Sequence, residues 1–159
     1  MLLTWLAGVC LLMNGMVFDH NVVGPQAGAD LSALLLREDA GQVQSLGEEG
    51  TVVLCLLSRP CAPCNRGIPW LKRLWRRHHQ TVRFLGVWQE EEALLAAFNR
   101  TKALPFSFLM PHEAEQVGTL LRPRFNLALT LLLDKGKVLG AWAGDMDEDT
   151  QAALEAALP

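Results

Sequence analysis

The chain has 159 residues, half of them apolar and 19% charged, with a net charge of −3 and four cysteines. These totals describe one domain of ordinary size with enough apolar side chains for a full core, and exclude both a disordered chain and a small disulfide-stapled scaffold. The near-neutral balance argues against a dedicated nucleic-acid binder, which carries a clear basic excess.

Leu2–Met13, LLTWLAGVCLLM, is apolar except for Thr4. It reads as the core of a secretory signal or, with NGMVF, as a short membrane anchor, so residues 1–18 are expected to direct or tether the chain. No basic flank supports this, since the first Lys or Arg is Arg37. The competing reading is a buried N-terminal helix. Residues 19–30, DHNVVGPQAGAD, are polar and rich in Gly and Pro and read as a linker or irregular lead-in. The globular domain is expected over residues 31–159.

Residues 31–46 read as a small hairpin turning near Ala40 and Gly41. TVVLCLL, 51–57, is apolar throughout and suits a central strand covered on both faces. A helix is expected from about Ala62 to His79, with Ile68, Leu71, Leu74 and Trp75 on one face and Lys72, Arg73, Arg76 and Arg77 on the other. Pro69 should kink it. A strand over 82–87, a helix over 90–100, a short strand over 104–110 and a helix over 113–122 follow. Strands over 127–133 and 137–143 are joined by the turn Asp134-Lys135-Gly136, and Asp147 caps a last helix over 148–158. Strands alternating with helices imply an α/β sheet, to which the late hairpin adds an antiparallel edge.

The stretch SRPCAPC, 58–64, with Arg66 just beyond it, carries the chemistry. Cys61 and Cys64 fall where the buried strand gives way to the helix. Unpaired N–H groups and the positive dipole end at a helix tip stabilise a thiolate there. Arg59 and Arg66 flank the pair and push the same way, and Pro63 stiffens the turn between the sulfurs. Cys61, at the tip, is expected to be the exposed attacking thiolate, and Cys64, one turn in, the resolving thiol. A zinc site is disfavoured, because no second CxxC exists and His78 and His79 lie about two dozen ångströms along the same helix. Haem attachment needs a His after the second cysteine, and Asn65 stands there. No metal ligand set is expected, and a dithiol of this kind needs no cofactor. A purely structural disulfide is the bland alternative.

From about Val23 to Pro159 the sequence resembles a redoxin of the TlpA/ResA type, and also the MauD-like relatives of methylamine-dehydrogenase maturation. The residues that carry the likeness are VGPQA (23–27), TVVLCLLSRPCAPC (51–64), Ile68-Pro69, LTLLLDKGKV (129–138) and Gly144. The resemblance implies a thioredoxin-like fold, a central mixed sheet flanked by helices, here with an N-terminal hairpin extension. It also implies a thiol–disulfide oxidoreductase, extracytoplasmic and often membrane-tethered, here through residues 2–18, acting on a disulfide or dithiol of a partner protein. Four departures surround the dithiol. Pro60 stands where the family has Trp, and Gly67 where a Glu is frequent. Cys55 stands where related proteins place a buried Asp or Asn, as a third thiol that assists or traps Cys64, or as a small packed hydrophobe. Ala128 stands where the fold places a cis-proline, so the Leu127–Ala128 bond is expected to be trans.

Two further readings remain. One is a binding or metallochaperone module in which the dithiol holds a soft metal or serves as a bridge. The other is a peroxiredoxin-like peroxidase, whose motif Ser58 fits and Leu54 does not. Trp88, at the end of a strand, either replaces the missing aromatic shelf or packs in the core. The basic run 72–79 reads as a solvated helix face or as a contact for an acidic partner or anionic lipid.

Overall fold

The computed structural model describes residues 25–37, 41–112 and 128–159. The signal or anchor at residues 1–18, the helix expected over 113–122 and the Leu127–Ala128 bond lie outside the described residues.

Strands β1 (Leu35–Arg37), β2 (Val43–Ser45), β3 (Thr51–Leu57), β4 (Arg83–Trp88), β5 (Phe108–Pro111), β6 (Leu129–Asp134) and β7 (Lys137–Ala143) form one sheet in the order β2-β1-β5-β4-β3-β6-β7. Helices α1 (Ala62–His78), α2 (Glu92–Lys102) and α3 (Glu148–Ala157) accompany it. β3 is central, parallel to β4 and antiparallel to β6. Its six residues Val52–Leu57 are all buried, as the unbroken apolar run requires. Each such Val or Leu contributes about 1.5–3 kcal/mol relative to exposure. The expected N-terminal hairpin is present as β1 paired with β2, and it joins the sheet through β1 against β5. Residues of the lead-in also dock: Gly28 N–H donates to Val138 O at 2.7 Å, and Ala29 O accepts from Val138 N–H at 2.9 Å.

The strand period of two separates the sheet into two faces. Val53, Cys55 and Leu57 look onto the cluster that holds Leu71 and Leu74 of α1, Phe98 of α2 and Leu154 of α3. Val52, Leu54 and Leu56 look onto a second cluster with Leu31, Leu34 and Leu46. Helix α1 continues through Pro69, buries Cys64, Ile68, Leu71 and Leu74 at helical spacing, and carries Arg76, Arg77 and His78 in its last turn, where the dipole favours cations. Asp147 caps α3 by accepting from Thr150 N–H at 2.8 Å. The turn joining β6 to β7 places Lys135 and Gly136 at φ 49° and 78°, the mirror-image conformation that tight hairpins require.

This topology gathers the site. β3 and β4 are parallel, and β7 runs with β3 because both are antiparallel to β6. The loops that follow β3, β4 and β7 therefore emerge at one edge of the sheet, where the sites of open α/β sheets assemble.

Gly86 of β4 lies between Cys55 of β3 and Phe108 of β5 in the sheet register. A Cβ there would stand 2.5 Å from the Phe108 ring. That ring is held in turn by Phe98 at 5.7 Å and Phe106 at 5.9 Å, so it has little room to retreat. Gly86→Ala is expected to lower stability by about 1–3 kcal/mol, the usual cost of overpacking. Urea unfolding of the disulfide form measures it, and an unchanged midpoint would show that the ring gives way freely.

Candidate active site

At the end of β3 the chain turns through Ser58–Cys61, closed by Cys61 N–H donating to Ser58 O at 3.3 Å, with Arg59 and Pro60 exposed at the turn. Cys61 then has extended backbone (φ −75°, ψ 98°) and is the N-cap of α1. Its Sγ accepts from the N–H of Cys64 at 3.1 Å, taking the place of the oxygen that usually caps a helix. Pro63 lies in the first turn, where a missing N–H costs no helical bond. Cys61 and Cys64 are joined by a disulfide.

The expectation of an exposed Cys61 is corrected. Cys61 is 0% and Cys64 3% exposed. Both sulfurs belong to the apolar cluster that contains Leu57, Ile68 and Ala128. The reason lies in the packing: Leu57, Ile68 and Ala128 of that cluster cover the pair from β3, α1 and the start of β6. Cys64 Sγ also lies 3.7 Å from the carbonyl oxygen of Leu56.

The flanking arginines are both paired. The carboxylate of Glu90, after β4, accepts the backbone N–H of Arg59 and lies 3.8 Å from its Nε. Asp145, after β7, takes Arg66 in a two-pronged pair, Nε–Oδ1 and Nη2–Oδ2 both 2.9 Å. Their positive charge is thus largely offset by acids distant in sequence. What remains to favour a thiolate is the helix tip and its N–H groups.

Cys55 lies on the same face of β3 as the dithiol cluster and is free and buried. Burial pushes its thiol up to about 12, against the opposing hydrogen bond from Thr130, its neighbour across β6. Thr130 is the buried polar side chain among the described residues. Ala128 is buried at the start of β6, and its carbonyl accepts the N–H of Gly144 at 2.9 Å. The structure therefore brings Cys55, Cys61, Cys64 and Ala128 into one cluster.

Other expectations resolve by geometry. Trp88 is no docking shelf: it is 0% exposed, packs on Phe98 at 4.9 Å, and spends its Nε1–H on Glu91 O at 3.1 Å. A Cβ at Gly67 would meet Met146 Cγ at 3.5 Å, so Met146 fills the space into which a longer side chain would extend. His79 stacks on Trp75 at 4.3 Å near the far end of α1, and Arg77 is paired with Glu155.

Three contributors were not legible beforehand. Asn65 donates its Nδ2–H groups to the carbonyls of Arg59 at 3.1 Å and Cys61 at 2.9 Å, fixing the turn before the helix. A short polar amide in a first helical turn is the local signal for such back-bonding. Glu90 and Asp145 carry no comparable local signal, since each meets its arginine only through the fold.

No protein-family model and no curated protein sequence matches the chain. Solved structures do. The thioredoxin domain of a thiol–disulfide oxidoreductase from Bacteroides vulgatus aligns with TM-score 0.69 at 15% identity, over 85% of this chain and 99% of that one. The thio-disulfide isomerase from Thermus thermophilus aligns with TM-score 0.60 at 22% identity, over 86% and 99%. The bacterioferritin comigratory protein from Xanthomonas campestris, described for its alkyl peroxide reduction activity, aligns with TM-score 0.58 at 18% identity, over 86% and 96%. The likeness at these identities is one of fold. The chain has the thioredoxin-like fold, with a CxxC disulfide capping its first helix.

Proposed function

We propose that the chain is a thiol–disulfide oxidoreductase working through Cys61 and Cys64. The observation that carries this reading is the position of the pair: Cys61 Sγ accepts from the N–H of Cys64 at a helix N-terminus. That donor and the dipole behind it stabilise negative charge on the sulfur when the disulfide is open.

In the reducing direction the Cys61 thiolate attacks one sulfur of a partner's disulfide. The partner's other sulfur leaves as a thiolate and takes a proton, and Cys61 is joined to the partner in a mixed disulfide. Cys64 then loses its proton and attacks Cys61 Sγ, releasing the partner's second thiol. The partner disulfide has gained two electrons, and the chain is left with the Cys61–Cys64 disulfide. The reverse sequence oxidises a partner dithiol. Both sulfurs are buried in the disulfide form, so in that reverse direction, where a partner thiolate attacks this disulfide, Cys61 has to be uncovered first.

The partner on this reading is a protein disulfide or dithiol, and the apolar segment Leu2–Met13 supports a reaction outside the cytoplasm. No helix among the described residues is long and apolar enough to cross a membrane. The tether, on this reading, belongs to residues 2–18.

Cys61→Ser is expected to abolish reduction of the insulin disulfides by dithiothreitol above the uncatalysed rate, and Cys64→Ser to accumulate a mixed disulfide visible by mass. Turnover that survives Cys61→Ser would refute the reading.

Cys55 takes no part as a nucleophile on this reading, because only a thiolate attacks and its thiol, pushed up to about 12, stays protonated at neutral pH. A thiol whose folded pKa exceeds the unfolded value of 9.0 binds more protons when folded. Its contribution to stability is complete below pH 9 and is lost as pH rises from there towards 12. In a Cys61→Ser/Cys64→Ser background, where no disulfide can exchange, stability should fall above pH 9 more steeply with Cys55 than with Cys55→Ala. The difference in slope approaches about 1.4 kcal/mol per pH unit. Parallel urea-unfolding profiles would contradict the burial of an un-ionised thiol.

A further inference from the structure

Beside the dithiol, between the first turn of α1 and the length of α2, lies a cleft of about 350 Å³. Its floor is apolar: Phe98 is buried, Leu94 half-buried, and Ala97 contributes only a methyl group. The Thr101 hydroxyl on its wall is already spent on the Ala97 carbonyl at 2.9 Å. Two cations border it. Arg59 has a side chain 64% exposed, and Lys102, half-buried, forms no ion pair among the described residues. Arg59 and Asn65 line the cleft from the other side, two residues before Cys61 and one after Cys64. The cleft thus adjoins the chain segment that carries the reacting sulfurs, while the sulfurs themselves are not part of its lining.

We propose that this cleft is a substrate-recognition site. It takes an apolar side chain from the polypeptide segment that carries the partner's disulfide, with a neighbouring Asp or Glu directed to Lys102. The inference rests on the oxidoreductase reading for the identity of the bound molecule, and on the cleft itself for its chemistry. Size and an apolar floor suit one aliphatic or aromatic side chain. Charge complementarity selects the acidic neighbour, because Glu90 offsets Arg59, whereas Lys102 has no acidic partner among the described residues. A segment seated there has its backbone beside the Ser58–Cys61 turn, so binding and delivery of the disulfide to Cys61 are linked by proximity.

The test uses the full chain and two peptides with an internal disulfide, identical except for Leu-Glu or Leu-Lys beside one cysteine. Hydroxyethyl disulfide serves as a substrate too small to reach the cleft. The variants are Lys102→Glu and Ala97→Trp, the second filling the cleft from an exposed helix position. Wild type is expected to reduce the Leu-Glu peptide with kcat/KM about five- to tenfold above the Leu-Lys peptide, the difference residing in KM. Lys102→Glu should reverse that preference. Ala97→Trp should lower kcat/KM for both peptides, and neither change should alter turnover of hydroxyethyl disulfide. Equal use of the two peptides by wild type, or variants that slow the small disulfide as much as the peptides, would overturn the proposal.

A second arm separates it from the reading it rests on. A cysteine-free Leu-Glu peptide is titrated onto the disulfide form by calorimetry, with and without Ala97→Trp. Binding that Ala97→Trp weakens, in a protein that reduces no disulfide at all, keeps the cleft as a peptide site and removes the oxidoreductase reading. Disulfide turnover without such binding does the opposite.

Discussion

A helix that begins directly behind a buried strand must have its first N–H groups satisfied, and in this chain the acceptor is sulfur. The hydrogen bond from Cys64 N–H to Cys61 Sγ marks where α1 starts. From there the apolar stripe of α1 sets its rotation: Cys64, Ile68, Leu71 and Leu74 face the sheet and Arg73, Arg76 and Arg77 face water. The same bond ties the chemistry to the fold: the atom that caps the helix is the atom best placed to carry a negative charge. Asn65 secures the arrangement from the solvent side by holding the carbonyls of Arg59 and Cys61.

The loops arriving at this edge of the sheet modify that centre in two ways. Glu90 and Asp145 meet Arg59 and Arg66 and offset their charge, although exposed pairs of this kind add little to stability, about 0–1 kcal/mol each. Met146 closes over Gly67, so the first turns of α1 meet an apolar side chain where a carboxylate would bring a titratable group. Below the dithiol, Cys55 and Thr130 fill the sheet with a thiol and a hydroxyl that exchange no proton near neutral pH.

The fold was largely legible in the sequence, because each element has a local cause. An unbroken apolar run marked β3, a 3.6-residue stripe marked α1, the Asp134-Lys135-Gly136 turn set the β6–β7 hairpin, and Asp147 announced α3. The dithiol was legible for the same reason, as a CxxC between such a strand and such a helix. What could not be read depended on the meeting of distant segments. The acids that pair with Arg59 and Arg66 lie 31 and 79 residues away. Periodicity could not decide whether Trp88 faced a partner or Phe98. The burial of Cys61 follows from the cluster that β3, α1 and β6 assemble around it, and one-dimensional spacing holds no information on that meeting. The cleft beside the dithiol needs α1 and α2 in place before it exists.

Two opposed forces therefore act on the same sulfur. The helix tip lowers the energy of a Cys61 thiolate, whereas the apolar cluster around it raises that energy by removing water. Burial has no such penalty for a disulfide, which carries no charge, and it favours the closed pair in the packed site. A sulfur exposed at the helix tip would feel the first force nearly alone. On the oxidoreductase reading the balance changes with the cover over Cys61: water that reaches the sulfur removes the desolvation penalty and leaves the helix N-terminus to favour the thiolate. On that reading, whatever seats itself against the Ser58–Cys61 turn controls both access to the sulfur and its charge, so the surface next to the dithiol is where partner choice and reactivity meet.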